Sequence, residues 1–414
     1  MTSLTSNQSQ SNVRLFIFLQ SGWGIALELI AAWTIMVVFL QTLGATKTDI
    51  GLLTGLIQAG FYIPQLFSGY LSLKRPRQKT IVFLTHTYVI IPLILLAMLA
   101  LRGQAGPAAV TSAILINLFL ASGIGLLLPI QMNFIKKCLS PDNYAQSFGA
   151  IFSLQRLFGF IASLSILFLL TGLRQTGHIP ITIFGYFFII AAIILFLANL
   201  AILTVHEPTT APPTKPPSHR HETRLAINAI LNNRPILNFI ICRWLTLFTL
   251  IGLSFAIAHG LETNVISTRD GIFMAPTLSF STALFAYLFG QLAARRGFHL
   301  TIVLGTLFAC LAMALTIVAP YRPVYYLVAF GLGASEGGRI IGQNNILMDA
   351  YPGTNKTTFL GVTNVLLGIV GITIPILGGR LINQFSYDLI TLISLTIALF
   401  GAALMYYLFN YRPT

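Results

Sequence analysis

Residues 69–79 read GYLSLKRPRQK and residues 290–299 read GQLAARRGFH, and each run lies between two long apolar segments. In both, a glycine near the end of one segment is followed by a tight basic turn. A second match pairs residues 140–144 (SPDNY) with 351–355 (YPGTN), each leading into a Gly-rich segment. With a one-residue gap, Gly149 and Gly159 fall on Gly361 and Gly371. The matches are about half a chain apart, so the sequence reads as one plan written twice.

The plan is apolar. Of 414 residues, 56% are hydrophobic and only 8% charged, where a soluble domain carries about 25% charge. Too little charge is present to cover a water-facing surface, so the bilayer is the expected solvent. Each span needs about 20 apolar residues, and twelve segments qualify: 15–43, 49–73, 80–101, 109–135, 146–172, 180–205, 236–261, 271–294, 300–319, 324–349, 359–384 and 388–410. Runs this long satisfy their own backbone as helices, which predicts an all-α membrane protein of two six-helix halves. Pro64, Pro92, Pro129, Pro276 and Pro375 are tolerated in such helices and are expected to bend them. The first run is too long for a cleaved signal, so it is expected to remain as a span.

The net charge of +14 would suggest nucleic acid in a soluble protein. Here much of the excess sits in short loops, where it reports orientation, and no nucleic-acid partner is expected. Placing the N-terminus inside puts 15 Lys and Arg on the cytoplasmic side and 6 on the other, with Arg156, Arg243 and Arg339 inside spans. Both termini are therefore expected in the cytoplasm, with the chain in the cell inner membrane. Cys138, Cys242 and Cys310 are isolated, which indicates neither a metal site nor a disulfide framework; no metal or cofactor is expected. The longest hydrophilic stretch, 206–235, divides a half at 1–205 from a half at 236–414. Its Pro/Thr-rich start, 207–217, should be extended, and 221–233 suits a short amphipathic helix on the membrane surface.

The paired basic turns, the two six-span halves and the central linker resemble the major facilitator superfamily over essentially the whole chain. The family's loop motif is degraded: Leu73 and Ala294 stand where its aspartate is expected, and Pro76 replaces a glycine. The resemblance implies a secondary active transporter working by alternating access as a monomer, and no enzyme. Its partners would be a small-molecule solute and the lipid bilayer, with protons as the candidate coupling ion. Gly69, Arg75, Arg77, Gly290, Arg295 and Arg296 would form cytoplasmic gating loops. Glycines 368, 371, 378 and 379 with Pro375 look faintly like an exporter motif, which keeps export of amphipathic drug-like compounds as an alternative. A non-transporting receptor or scaffold of the same fold is another. An embedded enzyme would need a His or Ser/His constellation at one membrane face, and the sequence offers none.

Ionisable residues at membrane depth are costly and mark candidate sites. Glu28 lies 13 residues into its span, Arg156 ten and Arg243 seven, while Glu336 and Arg339 are near the middle of theirs. Glu336, Arg339 and Gln343 follow i, i+3, i+7 and share one helix face. The resemblance puts Glu28, Arg243, Glu336 and Arg339 at a central cavity, which Asn117, Gln131 and Asn133 can join, with Trp23, Trp33 and Trp244 as apolar walls. Each has a plainer reading. Glu336 and Arg339 can pair with each other, Arg156 can bond backbone carbonyls, and Arg243 can snorkel to headgroups. Glu28 has no basic neighbour on its own helix. Burial disfavours a charged carboxylate, so Glu28 is the candidate for proton coupling. With three arginines against two glutamates, an anionic or zwitterionic substrate is favoured.

Overall fold

The computed structural model describes residues 5–31, 35–72, 77–175, 180–208, 218–351, 353 and 355–410. The described chain is all-helical. Its helices are α1 (Ser6–Leu29), α2 (Ile35–Thr42), α3 (Lys47–Tyr62), α4 (Gln65–Ser72), α5 (Lys79–Leu101), α6 (Pro107–Cys138), α7 (Tyr144–Gln175), α8 (Ile181–Thr204), α9 (His219–Asn232), α10 (Arg234–Thr246), α11 (Leu250–Glu262), α12 (Thr268–Arg296), α13 (His299–Val318), α14 (Arg322–Ala350), α15 (Lys356–Gln384) and α16 (Tyr387–Asn410).

Nine helical stretches among the described residues are long and apolar enough to cross a membrane. Three of the twelve expected segments fall outside that set, each for a local reason. The first is not one helix: α1 ends at Leu29 and α2 resumes at Ile35. It also starts nine residues early, because Thr5 and Gln8 form a capping box in which each side chain bonds the other's backbone N–H. The second is broken between α3 and α4 at Pro64, a residue with no N–H to continue the ladder. The tenth is unbroken in α14, but its polar residues, Glu336 and Arg339 among them, dilute its apolar character. The other four prolines lie inside continuous helices. The amphipathic helix expected at 221–233 is α9, whereas 209–217 lies outside the described residues.

The described residues form two compact units. The first comprises residues 1–141, 157–222 and 355–361; the second comprises 142–156, 223–354 and 362–414. Each unit is built on the same packing plan. In the first, α3 and α4 pack on α6, α5 packs on α6, and both α1 and α5 pack on α8. In the second, α12 packs on α14, α13 packs on α14, and both α10 and α13 pack on α16. The repeat read from the paired turns is therefore a repeat of tertiary pairings.

Each unit holds a short segment from the far half of the sequence, and small residues make room for it. In the second unit the start of α7 crosses the end of α12 at Gly149 and Gly290. A Cβ on Gly149 would lie 2.7 Å from the Gly290 Cα, and the converse contact is 2.6 Å. Tyr144 anchors the crossing, its hydroxyl donating to Asn345 Oδ1 at 2.6 Å. In the first unit, residues 355–361 lie against α4, where a side chain at Gly69 would overlap Thr358.

A polar clasp closes one end of the first unit. Asn12 Nδ2 donates to the carbonyls of Cys138 (2.9 Å) and His206 (2.8 Å), and Asn12 Oδ1 accepts from the His206 N–H at 2.8 Å. Next to it, Glu207 spreads its carboxylate across the start of α5. Oε1 accepts from the Gln78 N–H at 2.7 Å and from Lys137 Nζ at 2.7 Å, and Oε2 accepts from the Lys79 N–H at 3.0 Å.

Candidate functional site

The second unit concentrates its membrane-depth charge around one carboxylate. Glu336 and Arg339 are one turn apart on α14, and Arg339 donates through Nε (2.9 Å) and Nη2 (2.7 Å) to the same oxygen, Glu336 Oε2. Their side chains are 19% and 38% exposed, so the pair borders open space. The charges of Arg156 and Arg243 also bear on the Glu336 carboxylate. Arg243 lines the same cavity as Glu336 and Arg339.

Arg243 is the most buried of the three, at 5% exposure. It does not snorkel. Its Nε donates to Gln343 Oε1 at 3.0 Å and its Nη1 to Thr246 Oγ1 at 2.9 Å. Gln343 in turn donates from Nε2 to Asn364 Oδ1 at 3.4 Å. The chain Thr246–Arg243–Gln343–Asn364 therefore ties α10, α14 and α15 together. Beside it a cavity is lined by Arg243, Thr249, Ser335, Glu336 and Arg339, with Leu247, Leu250, Leu253 and Leu332 as apolar wall. The lining therefore combines charged and apolar side chains.

The i, i+3, i+7 spacing on α14 predicted that Glu336, Arg339 and Gln343 share a face, and the structure brings Arg243 to that face. Arg156 of α7 belongs to the same unit. Thr246, Thr249, Ser335 and Asn364 were not singled out in the sequence. Thr246 carried a usable signal, one turn from Arg243 on the same helix face. Asn364 carried none.

The other expected residues are placed by contacts within their own units. Glu28 is in the first unit, partly buried, where a Cβ on Gly159 of α7 would come within 3.4 Å of its Cγ. Asn133 is at the end of α6 near Lys136 and Lys137, donating to Gln78 Oε1 at 3.3 Å. Asn117 turns back on its own helix, donating to the Ala113 carbonyl at 3.0 Å. Trp244 donates to the Leu366 carbonyl at 3.2 Å. Of the gating residues, Arg77, Arg295 and Arg296 are exposed at helix ends, whereas Arg75, like Trp33, lies outside the described residues. No cluster of three or more metal-ligating side chains occurs among the described residues.

The model of the Major Facilitator Superfamily matches this chain over residues 16–268 and again over 263–414. The chain therefore belongs to the major facilitator superfamily. It is a multi-pass membrane protein with the fold of a secondary transporter, rather than an enzyme. No curated protein matches it by sequence. Among solved structures it resembles FucP, a transporter of this superfamily in an outward conformation, with a TM-score of 0.73 at 13% identity, covering 95% of this chain and 98% of that one. It also resembles the proton:xylose symporter XylE bound to 6-bromo-6-deoxy-D-glucose, with a TM-score of 0.69 at 13% identity, covering 99% and 97%.

Proposed function

We propose that the protein carries a small anionic or zwitterionic solute across the inner membrane by alternating access, with both termini cytoplasmic. One observation supports the substrate class: Arg243, Arg339 and Glu336 line one cavity. A guanidinium is not deprotonated in proteins, so both arginines at the cavity stay charged. Their forked donors match a bound carboxylate or phosphate. Residues 1–205 and 236–414 form the two halves that rock, with 206–235 as their tether. Gly69 and Gly290, with Arg75, Arg77, Arg295 and Arg296, act at the turns that open and close. Glu28 is the proposed proton-coupling group.

The test is a thermal-stability screen of the purified protein with carboxylates, amino acids, sugar phosphates, neutral sugars and amphipathic cations, followed by uptake into liposomes. A ligand of the folded state raises its melting temperature. Anionic solutes should stabilise the wild type, and Arg243→Gln should weaken them about tenfold or more, the loss of one charged pairing. Stabilisation by neutral sugars or by amphipathic cations alone would overturn the anionic reading. In the same liposomes, Glu28→Gln should abolish accumulation driven by a pH gradient while leaving solute exchange. Normal accumulation by that variant would remove Glu28 as the coupling group.

A further inference from the structure

Three polar side chains in the first unit are buried at one level on three different helices. Trp23 of α1 is 4% exposed, and His86 of α5 and Asn199 of α8 are at 0%. The level follows from contacts that are independent of one another. The Trp23 and His86 rings meet edge to face, centroids 5.6 Å apart. The neighbour of Trp23, Gly22, packs so closely on α8 that a Cβ there would lie 2.5 Å from the Ala198 Cβ, and Ala198 precedes Asn199. Further along, α5 and α8 meet where Gly185 faces Ala97 and Leu101. The two helices are antiparallel, so counting back from that contact places His86 and Asn199 opposite each other. Asn199 follows Gly185 by fourteen residues, about 3.9 turns at 3.6 residues per turn. It therefore lies on nearly the same face as Gly185, the face turned to α5.

Four polar atoms at this level have no protein partner. His86 Nδ1 lies 2.7 Å from the Val82 carbonyl, which only accepts, so Nδ1 carries the proton and Nε2 is the acceptor of the neutral ring. His86 Nε2, Trp23 Nε1 and both Asn199 Oδ1 and Nδ2 are buried without a hydrogen bond. Leaving four such atoms bare would together cost a free energy comparable with the whole stability of a domain. Their chemistry is complementary through a bridge: an indole N–H and an amide NH2 to give, and an imidazole nitrogen and an amide oxygen to receive. Water has two of each kind and is the bridge of this shape that buried polar groups ordinarily take.

We propose that Trp23, His86 and Asn199 form a binding site for ordered internal water at the junction of α1, α5 and α8. The water accepts from Trp23 Nε1–H, donates to His86 Nε2 and completes its bonding on the Asn199 amide. The seam between α1 and its two neighbours is then hydrated, in contrast to the dry Phe39–Phe184–Phe188 cluster of the same unit. The site is independent of the substrate class proposed above.

The test is X-ray radiolytic hydroxyl-radical footprinting of the full-length protein in nanodiscs, read residue by residue with rates corrected for intrinsic reactivity. Radicals formed from a bound water modify the side chains that hold it. Trp23 should be oxidised several-fold faster than the equally buried Phe39 and Phe184, and the oxygen should come from the labelled water after soaking in H2-18O. Asn199→Leu, which removes two of the partner atoms, should lower the Trp23 rate several-fold with the Phe39 cluster unchanged. A Trp23 rate equal to that of the Phe39 cluster would overturn the proposal. So would a density map with side-chain-to-side-chain bonds in place of a water peak beside His86 Nε2, or with a larger solute there.

Discussion

Glu207→Gln tests how the first unit is fastened at the start of α5. The wild-type carboxylate side chain is 2% exposed and Lys137 is 17% exposed. Three hydrogen bonds of 2.7–3.0 Å converge on the two oxygens, two from backbone N–H groups and one from an ammonium. A glutamine has one oxygen and one NH2; with the oxygen where Oε1 takes two bonds, the Lys79 N–H meets a donor and the Lys137 ion pair becomes a bond to a neutral amide. One lost hydrogen bond to a charged group is worth about 1.5–3 kcal/mol, and the weakened ammonium contact, partly solvated, adds at most about 1 kcal/mol. The expected net loss is therefore about 2 kcal/mol.

The assay is chemical or thermal unfolding in detergent, with Lys137→Met and the double variant completing a cycle. Lys137→Met leaves the carboxylate on two backbone N–H groups and should cost less than Glu207→Gln. The double variant should be more stable than the sum of the two single losses predicts, with a coupling of about 1 kcal/mol or more, as expected for residues in one network. A Glu207→Gln protein within about 0.5 kcal/mol of wild type, the usual range of a neutral surface change, would refute the argument that this carboxylate caps α5.

Two further predictions follow from local geometry. Arg322 donates to Asp270 Oδ1 through Nε (3.0 Å) and Nη2 (2.8 Å), and Tyr326 adds a third bond at 3.0 Å; with Ser267 as a further donor, they hold the Asp270 carboxyl well below the usual carboxylate range. A depressed carboxyl stabilises above its unfolded pKa and loses that contribution as pH falls through the folded one, so the melting-temperature gap between wild type and Asp270→Asn should stay constant from pH 8 to 5 and shrink only in stronger acid. At the α7–α12 crossing, Gly290→Leu must push the helices apart, since even a Cβ would lie 2.6 Å from the Gly149 Cα. It should cut liposome uptake by tenfold or more, whereas Phe280→Leu at an exposed position of α12 should leave it near wild type; equal uptake by both would show that the crossing is not needed.

The fold was legible because two of its constraints are one-dimensional. A bilayer demands apolar runs of fixed length, and a duplicated plan places like beside like at a fixed offset. Gly69 and Gly290 were found as a matched pair in the sequence, and both sit at close helix contacts within their units. What the sequence concealed was interruption. Nothing in the run 15–43 marks where α1 stops at Leu29, since Ile30 and Ala31 are as apolar as their neighbours. Pro64 did mark its break, yet Pro92, Pro129, Pro276 and Pro375 lie inside continuous helices. A proline costs a hydrogen bond in every case, and tertiary packing decides whether the helix continues past it.

The candidate site was half legible for a different physical reason. Periodicity places residues on a helix face, so Glu336, Arg339 and Gln343 could be grouped without a structure. It cannot say which other helix meets that face, and Arg243 arrives from α10 at a sequence distance of about a hundred residues. Partnering then changes the meaning of the charges. Arg243, read alone, suited a headgroup contact; with its Nε on Gln343 and Nη1 on Thr246 it becomes a fixed positive group at the cavity that Glu336 also lines. Arg339, read alone, suited a self-contained pair. The pair accounts for one arginine and one carboxylate, and Arg243 reaches the same cavity through a separate network. A structural role for the pair and the binding role proposed for the site are therefore compatible.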